Sequence, residues 1–580
     1  MHSFMFYIHF LVLLPSLALA LPHGLSRTRL SRRSTEETRN FTVPIHSRKR
    51  GGVGAAHERR GSYSGSVGLG DTADLFYTVP ITIGSTNTAV NLDTGSSDLW
   101  VVSDACKTNV CKTSRMPAYP ASQIQPAGGS VTLQYGDSLT GTHAKGPVAQ
   151  DTASIAGLSM PQQPFAAISD TNNTSVMNGA NGIFGLGFPS SRCSQVQATV
   201  INSKFNSPSK TDDFVLGTTQ DGPLLSRLAA SGALEQPMFT IALQRDTIDI
   251  GGQSGSLTVG KLPDGVDNSS LTWVPVRLYT PKLGGLNPPS FAPNEVCSVR
   301  TLPLTLPHMT ILRPRKFQVY PLRWEVLLDA VYLDGQKLAD STVAPQGIAN
   351  PGLSALIDTG NSILRGPSDV VNSILRSVSP AFAANRNAAP TFPCGTPHNL
   401  TFQMGGKMFP VDPRDFVSQN QTNDATTCIA NNIVSTDPPS AGALFSWSLG
   451  DPFMKSTLVA FYYGNLTHPS LDPPRIGFLS TVPTDAAAEL DQAVDDAEAN
   501  NGNFETTSQI APTGSASKIS IAPSTLAAPT AASSSALAAS VPSSTSSSDR
   551  NKNGAQPAAH LSTIAVLSTA LLSSLAWTLF

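Results

Sequence analysis

The chain has 580 residues, of which 40% are apolar, so it can build a large hydrophobic core and has room for more than one domain. Charged residues make up only 13% of the chain, and the formal net charge is -2. Because the chain has no basic excess and no long basic stripe in its central region, its composition argues against nucleic-acid binding.

The chain begins with an apolar run, MHSFMFYIHFLVLLPSLALA, that ends in the small-x-small triplet Ala18-Leu19-Ala20. This pattern is typical of a secretory signal peptide and its cleavage site, so residues 1–20 are predicted to be removed. A membrane anchor is the alternative, but the run is short and its end is cleavable. Secretion would place the protein in an oxidising compartment.

A basic and polar segment, residues 21–60, follows the predicted signal peptide. It contains three dibasic pairs, Arg32-Arg33, Lys49-Arg50 and Arg59-Arg60. Dibasic pairs directly after a signal peptide indicate a propeptide that a processing protease removes. The mature protein is therefore predicted to begin near Gly61.

An acid in an apolar, strand-like segment marks the first candidate site: Asp93 in AVNLDTGSSDLWV. An Asp-Thr-Gly triplet alone usually just ends a strand, because these residues form turns. The stretch SALIDTGNSILRG, however, repeats the pattern around Asp358. Two such sites indicate an internal duplication, and if the halves pack face to face, the two carboxylates form a candidate catalytic pair.

The region between about Asp71 and Thr481 is predicted to be mostly β. Its short segments are rich in Val, Ile, Thr and aromatic residues and are bounded by Gly, Pro or Asn. Examples are LFYTVPITIG, SVTLQYG, FTIALQ, GSLTVG, LTWVPVRL and WEVLLDAVYLDG. Helical periodicity is clearest in GPLLSRLAASGAL and PSDVVNSILRSV.

Six cysteines and several glycosylation sequons fit a secreted protein. Spacing allows a small disulfide loop, Cys106 with Cys111, and a larger one, Cys394 with Cys428. Metal binding is the alternative, but no C-x-x-C pair or His cluster is present, so no metal and no cofactor are predicted. Cys193 and Cys297 have no obvious partners. The N-x-S/T sequons are at Asn40, Asn172, Asn173, Asn268, Asn399, Asn420 and Asn465.

The C-terminal region has the composition of a stalk followed by a lipid-anchor signal. Residues 483–553 are predicted to be the stalk, because Ser, Thr, Ala and Pro dominate from about residue 507 to 548 and cannot bury enough apolar surface to offset chain entropy. A small triplet beginning at Asn553, a polar spacer and the tail LSTIAVLSTALLSSLAWTLF then resemble a GPI-anchor signal, residues 554–580. Asn553 is the candidate attachment residue. A single-pass tail anchor is the rival, but no charged residue follows the apolar tail.

The segment CSVRTLPLTLPHMTILRPRKFQV, residues 297–319, lacks clear strand or helix periodicity and is basic. It is either a surface loop, which costs little entropy to close, or a retained intron in the gene model. The intron is favoured, because deletion joins NEV directly to YPLRW and preserves the reading frame. Sequencing the transcript distinguishes the two.

Taken in order, the motifs of the central region resemble the pepsin family of aspartic endopeptidases, and more narrowly its GPI-anchored, yapsin-like members on fungal cell surfaces. The motifs are LFYTVPITIG, LDTGSSDLWV, VTLQYGDSLTG, NGIFGLGFPS, SLTWVPV, IDTGNS, WSLGDPFMKSTLVAFYYGN and RIGFLS. The resemblance implies two pseudo-symmetric β lobes, residues 61–236 and 237–482, with the active-site cleft between them.

The resemblance also implies the chemistry of the paired acids. Asp93 and Asp358 would share one proton, one activating a water as general base and the other serving as general acid. Thr94 and Thr359 would cross-link the two loops through hydroxyl to backbone hydrogen bonds.

By the same resemblance, two glycines and a serine hydroxyl are expected to support the two aspartates. Gly95 and Gly360 would let backbone amides approach the carboxylates, and Ser96 would donate its hydroxyl to the first aspartate. The matching second position usually holds Thr or Ser in this family, and here it is Asn361. An Asn amide can donate to Asp358 with a different reach, so a shifted pH profile is expected.

By the same resemblance, YGDSLTG is the tip of a flap that covers the substrate. Tyr135 would lie over the substrate while its hydroxyl joins a hydrogen-bond network; simple packing of a strand Tyr is the alternative. The tip YGDS, which includes Tyr135, Gly136 and Asp137, is one residue shorter than the common family pattern, which would leave Asp137 near the substrate. Ile183-Phe184-Gly185 and Ser448-Leu449-Gly450 resemble the two segments that thread beside the active-site loops.

The predicted function is therefore a secreted, cell-surface-anchored aspartic endopeptidase that acts on peptides or proteins at acid pH, as a monomer. The alternative is a cell-wall glycoprotein that keeps the fold without activity, but this chain retains both aspartates. A metallopeptidase or serine hydrolase would need H-E-x-x-H or G-x-S-x-G, and neither motif occurs.

Overall fold

The fold was traced in a computed structural model. The described residues are 61–136, 141–189, 194–205, 211–251, 254–279, 290, 296–298, 316–318, 320–343, 352–435, 445–512 and 519–522. The predicted signal peptide, propeptide and GPI signal lie outside these ranges, as do Asp137, Cys193 and Asn553.

The first half of the chain is built mainly from strands, as its β-branched and aromatic segments predict. Its strands are β1 Gly65–Gly68, β2 Gly70–Thr72, β3 Tyr77–Ile83, β4 Thr86–Asp93, β5 Leu99–Val102, β6 Pro126–Tyr135, β7 Thr142–Ile155, β8 Leu158–Ile168, β9 Asp170–Thr171 and β10 Gly182–Gly185. Its α-helices are α1 Asn109–Thr113, α2 Gln195–Phe205, α3 Thr211–Asp221 and α4 Leu224–Ala230.

The second half repeats this β-rich composition. Its strands are β11 Met238–Ala242, β12 Thr247–Ile248, β13 Ser256–Val259, β14 Thr272–Pro275, β15 Val296–Ser298, β16 Lys316–Gln318, β17 Glu325–Leu327, β18 Ala330–Leu333, β19 Gln336–Lys337, β20 Ser354–Ile357, β21 Leu364–Gly366, β22 Thr391–Pro393, β23 Leu400–Met404, β24 Lys407–Pro410, β25 Ser418–Gln421, β26 Asp424–Ile429, β27 Ile433–Ser435, β28 Trp447–Leu449, β29 Thr457–Tyr462 and β30 Arg475–Ser480. Its α-helices are α5 Ser368–Val378, α6 Pro380–Ala384, α7 Pro413–Phe416 and α8 Asp451–Lys455.

The two clearest helical patterns in the sequence both form helices. GPLLSRLAASGAL contains α4, and PSDVVNSILRSV forms α5. In α5 the buried side chains are Val370, Val371, Ile374, Leu375 and Val378, a spacing that lines one face of a helix. The prediction of a mostly β protein with two lobes is confirmed.

The internal duplication is visible in the strand order around the two acids. In the first lobe, the sheet runs β2-β3-β4-β10-β5-β8-β7-β6, and β10 lies parallel to β4 with Gly185 opposite Asp93. In the second lobe, the sheet runs β17-β20-β28-β21-β27, and β28 lies parallel to β20 with Leu449 opposite Ile357. In each lobe, a strand that leads to the acid is therefore flanked by a later threading strand.

A third sheet has the strand order β1-β13-β11-β29-β30-β14. It takes β1 from the first half of the chain and the other strands from the second. Around it pack buried rings, with Phe239 stacked on Phe461 at 4.7 Å between ring centroids. Trp324 and Tyr463 both donate hydrogen bonds to the Leu186 carbonyl, at 3.0 and 2.6 Å, and so tie the second half of the chain to the first.

Both cysteine pairs proposed from spacing are disulfide-bonded. Cys106 and Cys111 close a small loop that runs into the first turn of α1, and Cys394, which directly follows β22, is bonded to Cys428 in β26. Each bond reduces the entropy of the unfolded chain around it.

Part of the predicted stalk is folded, which corrects the prediction for residues 483–512 and 519–522. These residues form the helix α9 Ala486–Ala499 and the short strands β31 Glu505–Thr506, β32 Ser508–Gln509 and β33 Ile519–Ser520. Strand β31 pairs with β12, β32 with β2 and β33 with β8, so the segment contacts both halves of the chain. The apolar residues of α9 recur at helical spacing and are buried: Ala486, Leu490, Ala493 and Ala497. Residues 523–553 lie outside the described part.

The ends of the segment 297–319 lie side by side. Strand β15 pairs antiparallel with β16, with Cys297 opposite Phe317 in the register. The backbone of these two short strands is compatible with the loop interpretation, because the ends of a surface loop must meet. Residues 299–315 lie outside the described part.

The predicted sequons differ in their exposure. Asn268 and Asn399 are exposed, whereas Asn173 is 7% exposed and its side chain is engaged in a turn. Asn173 is therefore a poor acceptor for a glycan.

Across the described residues, no helix has the length and apolar character needed to cross a membrane.

Candidate active site

The two acids lie where strands end, so their side chains leave the sheets at the junction of the lobes. Asp93 is the last residue of β4, and its carbonyl accepts a 2.9 Å hydrogen bond from the Leu186 amide. Asp358 follows β20 directly, and its amide donates a 3.0 Å hydrogen bond to the Leu449 carbonyl. The threading segments thus hold the backbone of both acid loops.

The two carboxyl groups face each other across a pair of glycines. A Cβ built on Gly95 would lie 2.4 Å from Oδ1 of Asp358, and one built on Gly360 would lie 2.5 Å from Oδ1 of Asp93. Both distances are too short for any side chain, so glycine is required at both positions. The carboxyl groups are also close enough to hydrogen-bond each other.

The loops are cross-linked by two threonines. The Thr94 hydroxyl donates to the Ile357 carbonyl at 2.7 Å and accepts from the Thr359 amide at 3.0 Å. In the other direction, the Thr94 amide donates to the Thr359 hydroxyl at 3.1 Å. All of these groups are buried, so the cross-link fixes one loop relative to the other.

Asp93 is surrounded by close donors from its own loop. Its Oδ1 accepts from the Gly95 amide at 2.8 Å and from the Ser96 amide at 3.1 Å. Its Oδ2 accepts from the Ser96 hydroxyl at 2.5 Å. Three donors on one carboxylate favour its ionised form.

Asp358 has fewer and longer hydrogen bonds. The Gly360 amide donates to Oδ1 at 3.0 Å. The hydroxyl that reaches Oδ2 belongs to Ser448 on the threading strand β28, at 3.4 Å. The Asn361 amide donates to the Ser448 hydroxyl at 2.9 Å and to the Ser448 carbonyl at 3.4 Å. The Asn361 side chain is therefore hydrogen-bonded to Ser448, and Ser448 in turn reaches Asp358. The described side-chain hydrogen bonds of Asn361 do not include one to Asp358.

Burial raises the pKa of both acids, because it disfavours the charged form. For Asp93, the hydrogen bonds from Ser96 and Gly95 act in the opposite direction. For Asp358, the negative charge of Asp93 adds to the effect of burial and raises the pKa to about 7. The pair is therefore arranged to hold one proton, with Asp358 the more readily protonated acid.

Tyr135 ends strand β6 and lies beside Trp100 of strand β5. Its hydroxyl accepts a 2.9 Å hydrogen bond from the indole N–H of Trp100, and the two rings are 6.3 Å apart. Gly136 follows at φ 82°, in the left-handed region that favours glycine. Asp137, the third residue expected at this tip, lies outside the described residues. No cluster of three or more His, Cys, Asp or Glu side chains suited to a metal occurs in the described ranges.

Comparison with known families agrees with this geometry. A family model described as eukaryotic aspartyl protease matches residues 76–282 and 317–468, which is more than half of the chain. The chain belongs to the eukaryotic aspartyl protease family. The gap in the match, 283–316, covers most of the segment 297–319, so that segment departs from the aspartyl protease pattern.

Similar proteins occur in animals and fungi. The chain is 25% identical to cathepsin E of Mus musculus over 399 residues, which cover 68% of this chain and 79% of that protein. It is 24% identical to an aspartic protease of Phaffia rhodozyma over 433 residues, 73% of this chain and 81% of that protein. It is 25% identical to major aspartyl peptidase 1 of Cryptococcus neoformans over 430 residues, 73% and 69% of the two chains.

Two residues of this aspartyl protease site were missed as functional residues from the sequence. Ser448 was placed only in a threading segment, and Trp100 only in the LDTGSSDLWV motif. The signal for Ser448 was present, because an Asn where the family pattern has a hydroxyl implies that another hydroxyl must reach Asp358. Its position, however, depends on a contact between residues 87 apart in the chain.

Proposed function

We propose that this protein is a secreted, surface-anchored aspartic endopeptidase that hydrolyses peptide bonds at acid pH. The observation that carries the proposal is the pair of buried carboxyls, Asp93 and Asp358, held face to face by two glycines and two cross-linked threonines. Family membership supports the same reaction class.

In the proposed reaction, the pair shares one proton. Because Asp358 is the more readily protonated acid, Asp93 carries the negative charge in the free enzyme. The charged carboxylate accepts a proton from a water molecule as it attacks the scissile carbonyl, and the protonated carboxyl donates to the carbonyl oxygen. The proton taken from water is then delivered to the leaving nitrogen. The cross-linked loops hold both acids in place without reorganisation.

The flap completes the proposed site. Tyr135 would cover a bound peptide, while the Trp100 indole fixes the position of its hydroxyl. A half-buried Tyr hydroxyl with a donor partner keeps a defined orientation, which suits a lid that closes over substrate. The proposed substrates are peptides or proteins, bound by a monomeric enzyme.

The proposed location is the cell surface. Support comes from the sequence at both ends: the predicted signal peptide 1–20 and the GPI signal 554–580. Phospholipase C specific for GPI is expected to release the protein from cells. Recovery of a mature protein that keeps its apolar tail, detected by mass spectrometry, would instead support a tail anchor.

The catalytic proposal is tested by secreting the protein without residues 554–580 and assaying it on a peptide library from about pH 3 to pH 7. We expect an acid optimum, since the shared proton is lost as pH rises through the higher pKa of the pair. Pepstatin is expected to block cleavage. A folded protein that cleaves no peptide at any pH would favour the alternative of a non-catalytic glycoprotein.

A further inference from the structure

A partly open cavity of about 290 Å³ borders the acid pair. Its wall includes Gly95, which lies directly against Asp358, and Leu356, which precedes Asp358 by two residues. Arg323 and Phe445 form another part of the wall. The volume is close to the lower end of the range for ligand pockets, which suits one substrate side chain.

Arg323 is the charged group of this wall, and aromatic rings hold it in place. Its guanidinium carbon lies 5.5 Å from the ring centroid of Phe445 and 5.9 Å from that of Tyr279. These cation–π contacts restrict the side chain without neutralising its charge. Arg323 is half-buried, so its charge is less screened than that of a surface arginine.

A neighbouring arginine, Arg277, differs from Arg323 because an acid neutralises its charge. Arg277 also stacks on Tyr279, at 4.9 Å, but it forms a 2.7 Å ion pair with the buried Glu325. The Tyr279 hydroxyl donates to the same carboxylate. Within the described ranges, Arg323 has no ion pair with any carboxylate. Among the described residues, the guanidinium of Arg323 therefore lines the cavity without an ion-pair partner, while the acid pair beside the same wall keeps one negative charge.

We propose that this cavity is a substrate subsite for an acidic side chain, with Arg323 as its charged partner. The proposal rests on the proposed peptidase function and deepens it by naming a substrate class: peptides with Glu or Asp at one position near the scissile bond. A carboxylate in the cavity would form a charge-assisted hydrogen bond with the guanidinium.

Other charges near the cavity set the background for this interaction. Arg277 and Glu325 pair with each other, whereas the acid pair, Asp93 and Asp358, keeps one negative charge that opposes a substrate carboxylate, so the preference depends on direct contact with Arg323. A substrate Glu ionises with a pKa of about 4.3, so its attraction to Arg323 grows as pH rises through that value. The preference for Glu over the neutral Gln is therefore expected to increase between about pH 3.5 and pH 5.5.

The test uses peptides that differ only by Glu or Gln, with the variable residue moved through each position on both sides of the scissile bond. For the wild-type enzyme we expect kcat/KM to be about fivefold to tenfold higher for Glu than for Gln at one position. Arg323→Gln should bring that ratio close to one, and Arg323→Glu should reverse it. Arg386→Gln, an exposed arginine outside the cavity wall, is the matched control and should keep the wild-type ratio.

Binding of the same peptides to Asp93→Asn, followed by fluorescence polarisation, separates the inference from the proposed function. Binding that favours Glu and depends on Arg323, together with a wild-type protein that cleaves nothing, would support the subsite and reject the peptidase. Cleavage with equal Glu and Gln ratios at every position, or a ratio that survives Arg323→Gln, would overturn the subsite. Loss of both cleavage and Arg323-dependent binding would overturn both.

Discussion

The two acid loops share a backbone plan but differ in how they hold their carboxyls. The Asp93 loop supplies its own hydroxyl, from Ser96, at 2.5 Å. The Asp358 loop has Asn361 at the matching position and obtains a hydroxyl from Ser448 on another strand, at 3.4 Å. The first carboxyl is therefore stabilised as an anion by local donors, while the second is held more loosely and keeps a higher affinity for a proton.

This asymmetry gives a near-symmetric fold two acids with different roles. If the loops were identical, the two carboxyls would have equal affinity for the shared proton. Unequal donors bias it toward Asp358, because each hydrogen bond to the ionised form lowers a pKa. The following substitutions test this difference between the two loops.

The largest effect is expected from removing either acid. Asp93→Asn removes the anion that accepts a proton from water, and Asp358→Asn replaces the proton donor with a neutral amide that cannot transfer its hydrogen. Each variant should lose at least about a thousandfold in kcat on a fluorogenic peptide. Circular dichroism provides the folding control. Near-normal turnover by either folded variant would contradict the paired mechanism.

Removing the hydroxyl of each cross-linking threonine should destabilise the protein to a different extent. Thr94→Ala leaves the Ile357 carbonyl and the Thr359 amide without their partner, whereas Thr359→Ala removes the partner of the Thr94 amide alone. At about 1–3 kcal/mol per buried unsatisfied group, Thr94→Ala should lower the free energy of unfolding by about twice as much. Urea denaturation measures both losses. Thr→Ser at each position keeps the hydroxyl and is the matched control; equal losses for the two alanine variants would refute the asymmetry.

The pKa of Asp358 should make stability depend on pH. Its folded value of about 7 lies above the ordinary value of 3.8, so its contribution to folding is full below about pH 4 and is lost as pH rises through 7. We expect the melting temperature of the wild-type protein to fall over this range. Asp358→Asn should flatten the fall, because an amide does not ionise. Parallel pH profiles for the two proteins would show that Asp358 does not titrate in this window.

The two serine donors should shift the activity profile to different extents. Ser96→Ala removes a short bond to an anion and should raise the acid limb of the kcat profile by about one pH unit. Ser448→Ala removes a longer bond to Asp358, the acid that must stay protonated, and should raise the basic limb by roughly a few tenths of a unit. Ser→Thr at each position tests rescue by a retained hydroxyl. A larger shift for Ser448→Ala would reverse the proposed order of the two carboxyls.

The smallest effect concerns the Asn361 side chain, which reaches Asp358 only through Ser448 in the described structure. Asn361→Ala should reproduce the small shift of Ser448→Ala, since the hydroxyl loses the amide that orients it. In the double variant the two shifts should not add, because both act through one hydrogen bond. Additive shifts in the pH profile would indicate that Asn361 acts on the pair independently.

Much of the fold was predictable because its signals are local. Short segments rich in β-branched and aromatic residues predicted the strands, and the helical periodicity of PSDVVNSILRSV predicted α5. The stalk boundary was wrong because composition dominated the prediction: Ala-rich α9 has few large apolar residues, but Leu490 and three alanines bury one face against the folded unit. Small side chains give a weak sequence pattern even where they pack well.

The sequence by itself determined which residues would form the acid loops, because the two Asp-Thr-Gly motifs and the Ser96 donor are short local patterns that resemble those of a known family. Only the tertiary structure decided that Ser448 supplies the second hydroxyl and that Arg323 reaches the cavity beside Gly95. The physical reason is that hydrogen bonds and charges act over a few ångströms in space. A contact between residues 90 apart in the chain is set by sheet pairing and register, which no short motif encodes.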